Sequence, residues 1–226
     1  MRLSERIARR ARIECLGRLG IRSHRAFLFV GHPRCGTGFA ASCATRWGWG
    51  VGHEVVRRYG VSAWYAVCDR TPPGCGLVPW DTYQFGSTIH VVRRAAPSIV
   101  SVAFTEPTTD RFRFRELGLR LTENRIEDAI TSLRLWTDRI EQRFRIDFRF
   151  RIEENEEDLF QFLGGKTSFV GRRYTSDQTK VNSRAREYQG EAAVNRVLRE
   201  YRSQVDELDE RFGYSTPQIP LQEAAP

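Results

Sequence analysis

Lysine is nearly missing from this chain: of its 36 basic residues only Lys166 and Lys180 are lysines, and the remainder are arginine. Long apolar runs are missing as well, since no stretch approaches the roughly 18 consecutive apolar residues of a membrane span, and the first residues lack the apolar core of a signal peptide. No CxxC pair occurs among the five cysteines, Cys15, Cys35, Cys43, Cys68 and Cys75, and none has a histidine spaced for zinc. These absences exclude a transmembrane protein, a zinc ribbon and a disulfide-framed secreted domain, so reduced thiols and a cytoplasmic location are expected. Internal repeats and low-complexity blocks are absent too.

The 226 residues carry a net charge of +8 and are enough for one α/β domain with a sizeable core. An arginine-rich surface suits polyanions, but net charge does not distinguish nucleic acid, a membrane, a sulfated glycan and a phosphorylated nucleotide, because all respond to the same long-range field. Leu3, Ile7, Ala11 and Cys15 lie on one helical stripe among Arg2, Arg6, Arg9, Arg10 and Arg12, which predicts an amphipathic helix over 1–20. It reads as a packing helix, with weak peripheral membrane contact through 1–18 as the other reading. A main domain over 21–213 and a fraying tail over 214–226 complete the expected division.

Residues 26–30 (AFLFV) and 88–93 (TIHVVR) are short apolar runs of the kind buried on both faces of a parallel sheet. Small residues after 38 predict a helix packed closely on that sheet. A second strand is expected to end near His53 and Glu54, with 61–68 read as the following helix. Helices are also expected over 98–104, over 123–144 with Asn124 and Glu127 as a capping box, over 157–163, and over 190–212. Phe148, Phe150 and Ile152 alternate with Arg149, Arg151 and Glu153, which predicts a more exposed strand. No sustained period runs through 164–189, a segment expected to be mobile or functional.

The segment 31–38 reads Gly-His-Pro-Arg-Cys-Gly-Thr-Gly between a predicted strand and a predicted helix. Glycines at GxxxxG spacing let backbone N–H groups converge on an anion, and the helix N-terminus adds its partial positive charge. A tight strand-to-helix turn with no ligand is the plainer alternative. An ATP or GTP loop places Lys directly after the second glycine, whereas Thr37 follows Gly36 here and Arg34 is the nearby cation. A cysteine phosphatase needs Arg six positions after its Cys, and the residues six beyond Cys35, Cys68 and Cys75 are Ala41, Gly74 and Asp81.

Pro33-Arg34-Cys35-Gly36-Thr37-Gly38 resembles the 5′-phosphosulfate loop of the sulfotransferases, whose usual form is Pro, Lys or Arg, Ser, Gly, Thr, Thr; Cys35 and Gly38 depart from it. The segment 92–101 resembles the family's 3′-phosphate segment, in which an Arg ending a strand is followed eight positions later by Ser, as Arg93 is by Ser101, although Pro97 is displaced from the usual place. Gly52-His53-Glu54 with the following 60–64, and 149–153 before an acidic helix, resemble segments of bacterial sulfotransferase-like proteins, so the resemblance spans about 26–184.

The resemblance implies a single-domain, three-layer parallel-sheet fold of the P-loop NTPase-like class. It also implies an enzyme that moves the sulfuryl group of 3′-phosphoadenylyl sulfate (PAPS) to a hydroxyl or amine acceptor, with a carbohydrate or other small molecule as the candidate acceptor. Donor binding falls to Arg34, Cys35, Gly36, Thr37, Gly38, Phe39, Arg93 and Ser101, with Lys180, Asn182 and Arg184 as a late basic loop closing over the nucleotide. Glu54 is implied as the base, His53 as its orienting or substitute group, and Arg34 as the stabiliser of the leaving oxygens. No metal is implied, because Arg34 supplies a cation. Three other readings stay open: a P-loop nucleotide kinase, a catalytically degenerate nucleotide binder of the same fold, and a nucleic-acid module built on 112–115 and 145–151. The last is disfavoured, since core aromatics alternating with surface arginines explain both segments.

Overall fold

The computed structural model describes residues 22–69, 80–104, 107–164 and 191–215. The expected N-terminal helix and the late basic loop with Lys180, Asn182 and Arg184 lie outside the described residues. The elements run β1 (Ser23–Gly31), α1 (Thr37–Arg46), β2 (Val51–His53), β3 (Gly60–Ser62), β4 (Tyr83–Val92), α2 (Ala95–Ala103), α3 (Pro107–Glu116), α4 (Arg125–Arg143), β5 (Phe148–Arg151), α5 (Glu156–Phe162), α6 (Glu191–Glu200) and α7 (Arg202–Phe212). The five strands form one sheet in the order β2-β3-β1-β4-β5, and every neighbouring pair is parallel.

Helices cover both faces, which is why β1 carries an unbroken apolar run rather than an alternating one. Phe27, Phe29, Ile89, Val91 and Phe150 face Ala40, Ala41 and Ala44 of α1 and Leu159 of α5. On the other side Leu28, Val30 and Val61 meet Trp136 and Ile140 of α4, and α2, α4, α6 and α7 close a further apolar cluster with Val92. Alanines on α1 let its axis approach the sheet. Leu133 is fully buried in α4, so Leu133→Ala is expected to cost roughly 2–5 kcal/mol.

Three elements differ from the sequence reading. The segment read as a helix over 61–68 is β3 followed by a 3₁₀ turn over Trp64–Val67; its side chains are buried on both sides, so it has no alternation to reveal the strand. One long C-terminal helix is two, broken at Tyr201, whose hydroxyl accepts from Asn124 Nδ2 at 3.1 Å. At the start of α4, Asn124 Oδ1 accepts from the N–H groups of Ile126 and Glu127. The expected return bond from Glu127 is not made: the Asn124 N–H donates to the Thr122 hydroxyl, and Asp128 accepts from the Thr122 N–H at 2.9 Å. Among the described residues no helix is long and apolar enough to cross a membrane.

Candidate active site

The turn between β1 and α1 stands at the carboxyl end of the sheet, where β1 hands the chain to α1 and β4 lies alongside in parallel register, Gly31 opposite Val91. Ligands of open α/β sheets collect in such crevices. Two residues of the turn, Arg34 at φ 77° and Gly36 at φ 93°, are in the left-handed region. The Cys35 N–H donates back to His32 O at 3.0 Å and tightens the turn. Gly36 is required twice over, by its φ and by Ile152, whose Cδ1 would lie 2.9 Å from an added Cβ.

Gly36 caps α1 with no side-chain hydrogen bond, and no acidic residue stands in the first turn. The leading N–H groups of a helix have no partner within it, so this end offers donors and positive potential to an anion. The N-terminus of α2, at the same edge, is different: Asp209 Oδ1 accepts from the Ala95 N–H at 2.6 Å. One helix start is already satisfied by a carboxylate and the other is not.

Two side chains of the turn point inward. His32 is buried; its Nδ1 lies 2.5 Å from Pro33 O, and its Nε2 3.0 Å from Ser132 Oγ. A carbonyl only accepts, so Nδ1 carries the proton and Nε2 accepts from the serine hydroxyl. Burial, and then the Arg113 guanidinium, hold the His32 pKa well below its ordinary value. The Cys35 thiol is 2 % exposed and donates to Ser98 Oγ at 3.7 Å; burial pushes it up to about 11. Cys35 therefore joins the turn to α2 and offers no nucleophile. The Phe39 ring stacks on Phe150, 6.2 Å between centroids, which leaves its backbone as the part available to a ligand.

The second predicted segment comes to the first. Arg93 follows the end of β4, Ser101 is in α2, and the Arg34 Nε–H donates to Ser101 Oγ at 3.2 Å. Arg93 keeps its Nε 3.4 Å from Glu153. Its neighbour Arg94 is taken up by Glu154, at 2.6 Å, and lies over the Tyr214 ring.

On the opposite flank of the turn, His53 ends β2 beside Thr37 and Glu54 follows it. His53 Nε2 lies 3.4 Å from Thr37 Oγ1 and 3.8 Å from Glu54 Oε1, while the Thr37 carbonyl accepts from Ser62 Oγ at 2.7 Å. Glu54 has φ 57° and is held at three points: its N–H donates to Ser62 O, its carbonyl accepts from the Tyr65 hydroxyl, and Oε1 accepts from the Trp64 indole N–H, each at 2.9 Å. Among the described residues, Arg34 and Glu54 are the non-glycine positions with positive φ. Such conformations cost on the order of 1–3 kcal/mol each and gather at functional sites. Both fall on residues that the sequence singles out for chemistry.

No family model matches this chain, and no curated protein or solved structure is significantly similar to it.

The turn between β1 and α1, Arg93, Ser101, His53 and Glu54 thus lie around one edge. Trp64, beside Glu54, is 7 % exposed and belongs to the core. Ser98, Glu153, Asp209 and Tyr214 were not singled out by sequence reasoning, because their partners lie tens of residues away. Among the described residues no cluster of three His, Cys, Asp or Glu side chains is placed to hold a metal ion.

Proposed function

We propose that the protein is a sulfotransferase that binds 3′-phosphoadenylyl sulfate at the carboxyl edge of β1 and β4 and moves its sulfuryl group to a hydroxyl or amine. The observation that carries this reading is the bond between Arg34 and Ser101. In this reading it brings the turn assigned to the 5′-phosphosulfate against the segment assigned to the 3′-phosphate, as a nucleotide with phosphate at both positions requires.

In this reading the first-turn N–H groups of α1 and the Arg34 guanidinium surround the phosphosulfate, and Arg93 with Ser101 holds the 3′-phosphate. Glu54 takes the proton of the acceptor as its oxygen or nitrogen forms a bond to sulfur. The bond from sulfur to the bridging oxygen breaks, and adenosine 3′,5′-bisphosphate leaves with the electron pair. Arg34 stabilises the charge that grows on that oxygen; as an ever-protonated group it is electrostatic and not an acid. His53, between Thr37 and Glu54, orients the acceptor.

Transfer of labelled sulfate from the donor to a mixed panel of hydroxyl and amine acceptors tests the activity. Label moved by wild type and not by Arg34→Ala supports it. A thermal shift with ATP and magnesium that exceeds the shift with adenosine 3′,5′-bisphosphate would point to a kinase instead.

A further inference from the structure

The C-terminal end of the described fold reaches back to the residue assigned to the 3′-phosphate. Gly213, at φ 80°, ends α7; the Tyr214 N–H donates to Asp209 O at 2.9 Å, and Asp209 itself caps α2 through Ala95. Tyr214 is 3 % exposed, with the Arg94 guanidinium 4.8 Å from its ring centroid. Its hydroxyl donates to Glu153 Oε2 and lies 3.3 Å from Val92 O. The other oxygen of the same carboxylate, Oε1, faces Arg93 Nε at 3.4 Å. The turn that carries Glu153 is tied to the end of β4, since the Ile152 N–H donates to Val92 O at 3.2 Å.

We propose that Glu153 and Tyr214 are positioning residues that aim Arg93 at the 3′-phosphate and so set the protein's preference for a 3′-phosphorylated nucleotide. The inference rests on the nucleotide reading above. A guanidinium is a planar fork of five donors, and the Glu153 carboxylate stands on the Nε side of the Arg93 fork as an ion pair at 3.4 Å. Among the described residues, Glu153 is the carboxylate that meets the Arg93 guanidinium. A long side chain held in this way loses less rotamer freedom when a phosphate arrives. The Tyr214 hydroxyl in turn keeps Glu153 from swinging forward into the place of the anion.

The test is the ratio of dissociation constants for adenosine 5′-monophosphate and adenosine 3′,5′-bisphosphate, measured by calorimetry on the full chain. Tyr214→Phe removes one hydroxyl and keeps the ring against Arg94. It is expected to weaken the bisphosphate by roughly fivefold to tenfold, the size of one lost hydrogen bond, and to leave the monophosphate unchanged. Glu153→Leu is expected to lose the ratio similarly, and Glu153→Gln, which keeps an acceptor for Arg93, to retain most of it.

A melting temperature that drops while the ratio stays at the wild-type value would make these residues merely structural and overturn the inference. Tighter bisphosphate binding in both Glu153 variants would also overturn it, by showing that the carboxylate competes with phosphate. If wild type itself does not prefer the bisphosphate, the nucleotide reading fails first.

Discussion

The indole N–H of Trp64 donates to Oε1 of Glu54 at 2.9 Å, and the neighbouring Tyr65 hydroxyl donates to the Glu54 carbonyl. Trp64 is buried, with its ring 5.7 Å from that of Trp136, so it is a rigid donor. It sets the direction of a carboxylate whose backbone is already held in the left-handed region.

Glu54→Gln should therefore lower turnover by about a hundredfold or more with donor binding intact, as expected for loss of a general base. Trp64→Phe keeps the base and loses its orientation, and a fall of roughly tenfold is expected for one misdirected hydrogen bond. Turnover with the labelled donor and dissociation constants for the bisphosphate check both; wild-type turnover in Glu54→Gln would remove it from this role.

Gly36 and Gly38 make opposite predictions. At Gly36 an added Cβ meets Ile152 and the φ is unfavourable, whereas at Gly38 the nearest atoms are those of the His53 ring at 3.6 Å, an ordinary contact. Gly36→Ala is expected to destabilise the fold by roughly 1–3 kcal/mol and to weaken anion binding. Gly38→Ala, in the first turn of α1, should raise stability by up to about 1 kcal/mol. Denaturant midpoints of the two variants, measured side by side, decide the matter.

Strain at Arg34 is separable from its charge. Arg34→Ala and Arg34→Gly both lose the cation, but only glycine relieves the φ of 77°. The glycine variant should be the more stable of the two by about 1 kcal/mol, with donor binding lost equally in both. Equal stability would mean that the turn relaxes when the side chain is gone.

Much of the framework was legible because burial leaves a local trace. The runs at 26–30 and 88–93 and the three-and-four spacing in 123–144 predicted β1, β4 and α4. The 61–68 segment failed for the same reason that it is stable: Val61, Trp64, Tyr65 and Val67 are all buried, so neither a helical stripe nor alternation survives. Arg34, Arg93 and Ser101 were legible as candidates through motif spacing, and Glu54 through the resemblance alone. What joins and supports them was not: Arg34 to Ser101 and Cys35 to Ser98 span more than sixty positions, and Tyr214 meets Glu153 across 61. Cys35, at a position where the resembled loop carries serine, turns its side chain into the fold against Ser98.

Two histidines make stability depend on acidity. His90 is buried in β4, and burial, followed by Arg149 and Arg211, lowers its pKa to about 3; His32 is lowered as well, mainly by burial. The unfolded chain takes up these protons near pH 6.5 and the folded chain does not, so their contribution is intact above that value and is lost as the pH falls. Between pH 7 and pH 5 the loss is about 2 kcal/mol for His90, and His32 acts in the same direction. Urea midpoints at the two values should show it, and His90→Gln should shrink the difference by about the His90 share.

The most direct measurement is calorimetric binding of adenosine 3′,5′-bisphosphate and adenosine 5′-monophosphate to wild type and to Arg93→Ala. Wild type should favour the bisphosphate by roughly tenfold or more, the worth of one charged phosphate contact, and Arg93→Ala should bind the two alike. Equal affinities in wild type, or a preference that survives loss of Arg93, would contradict a single site built from both segments.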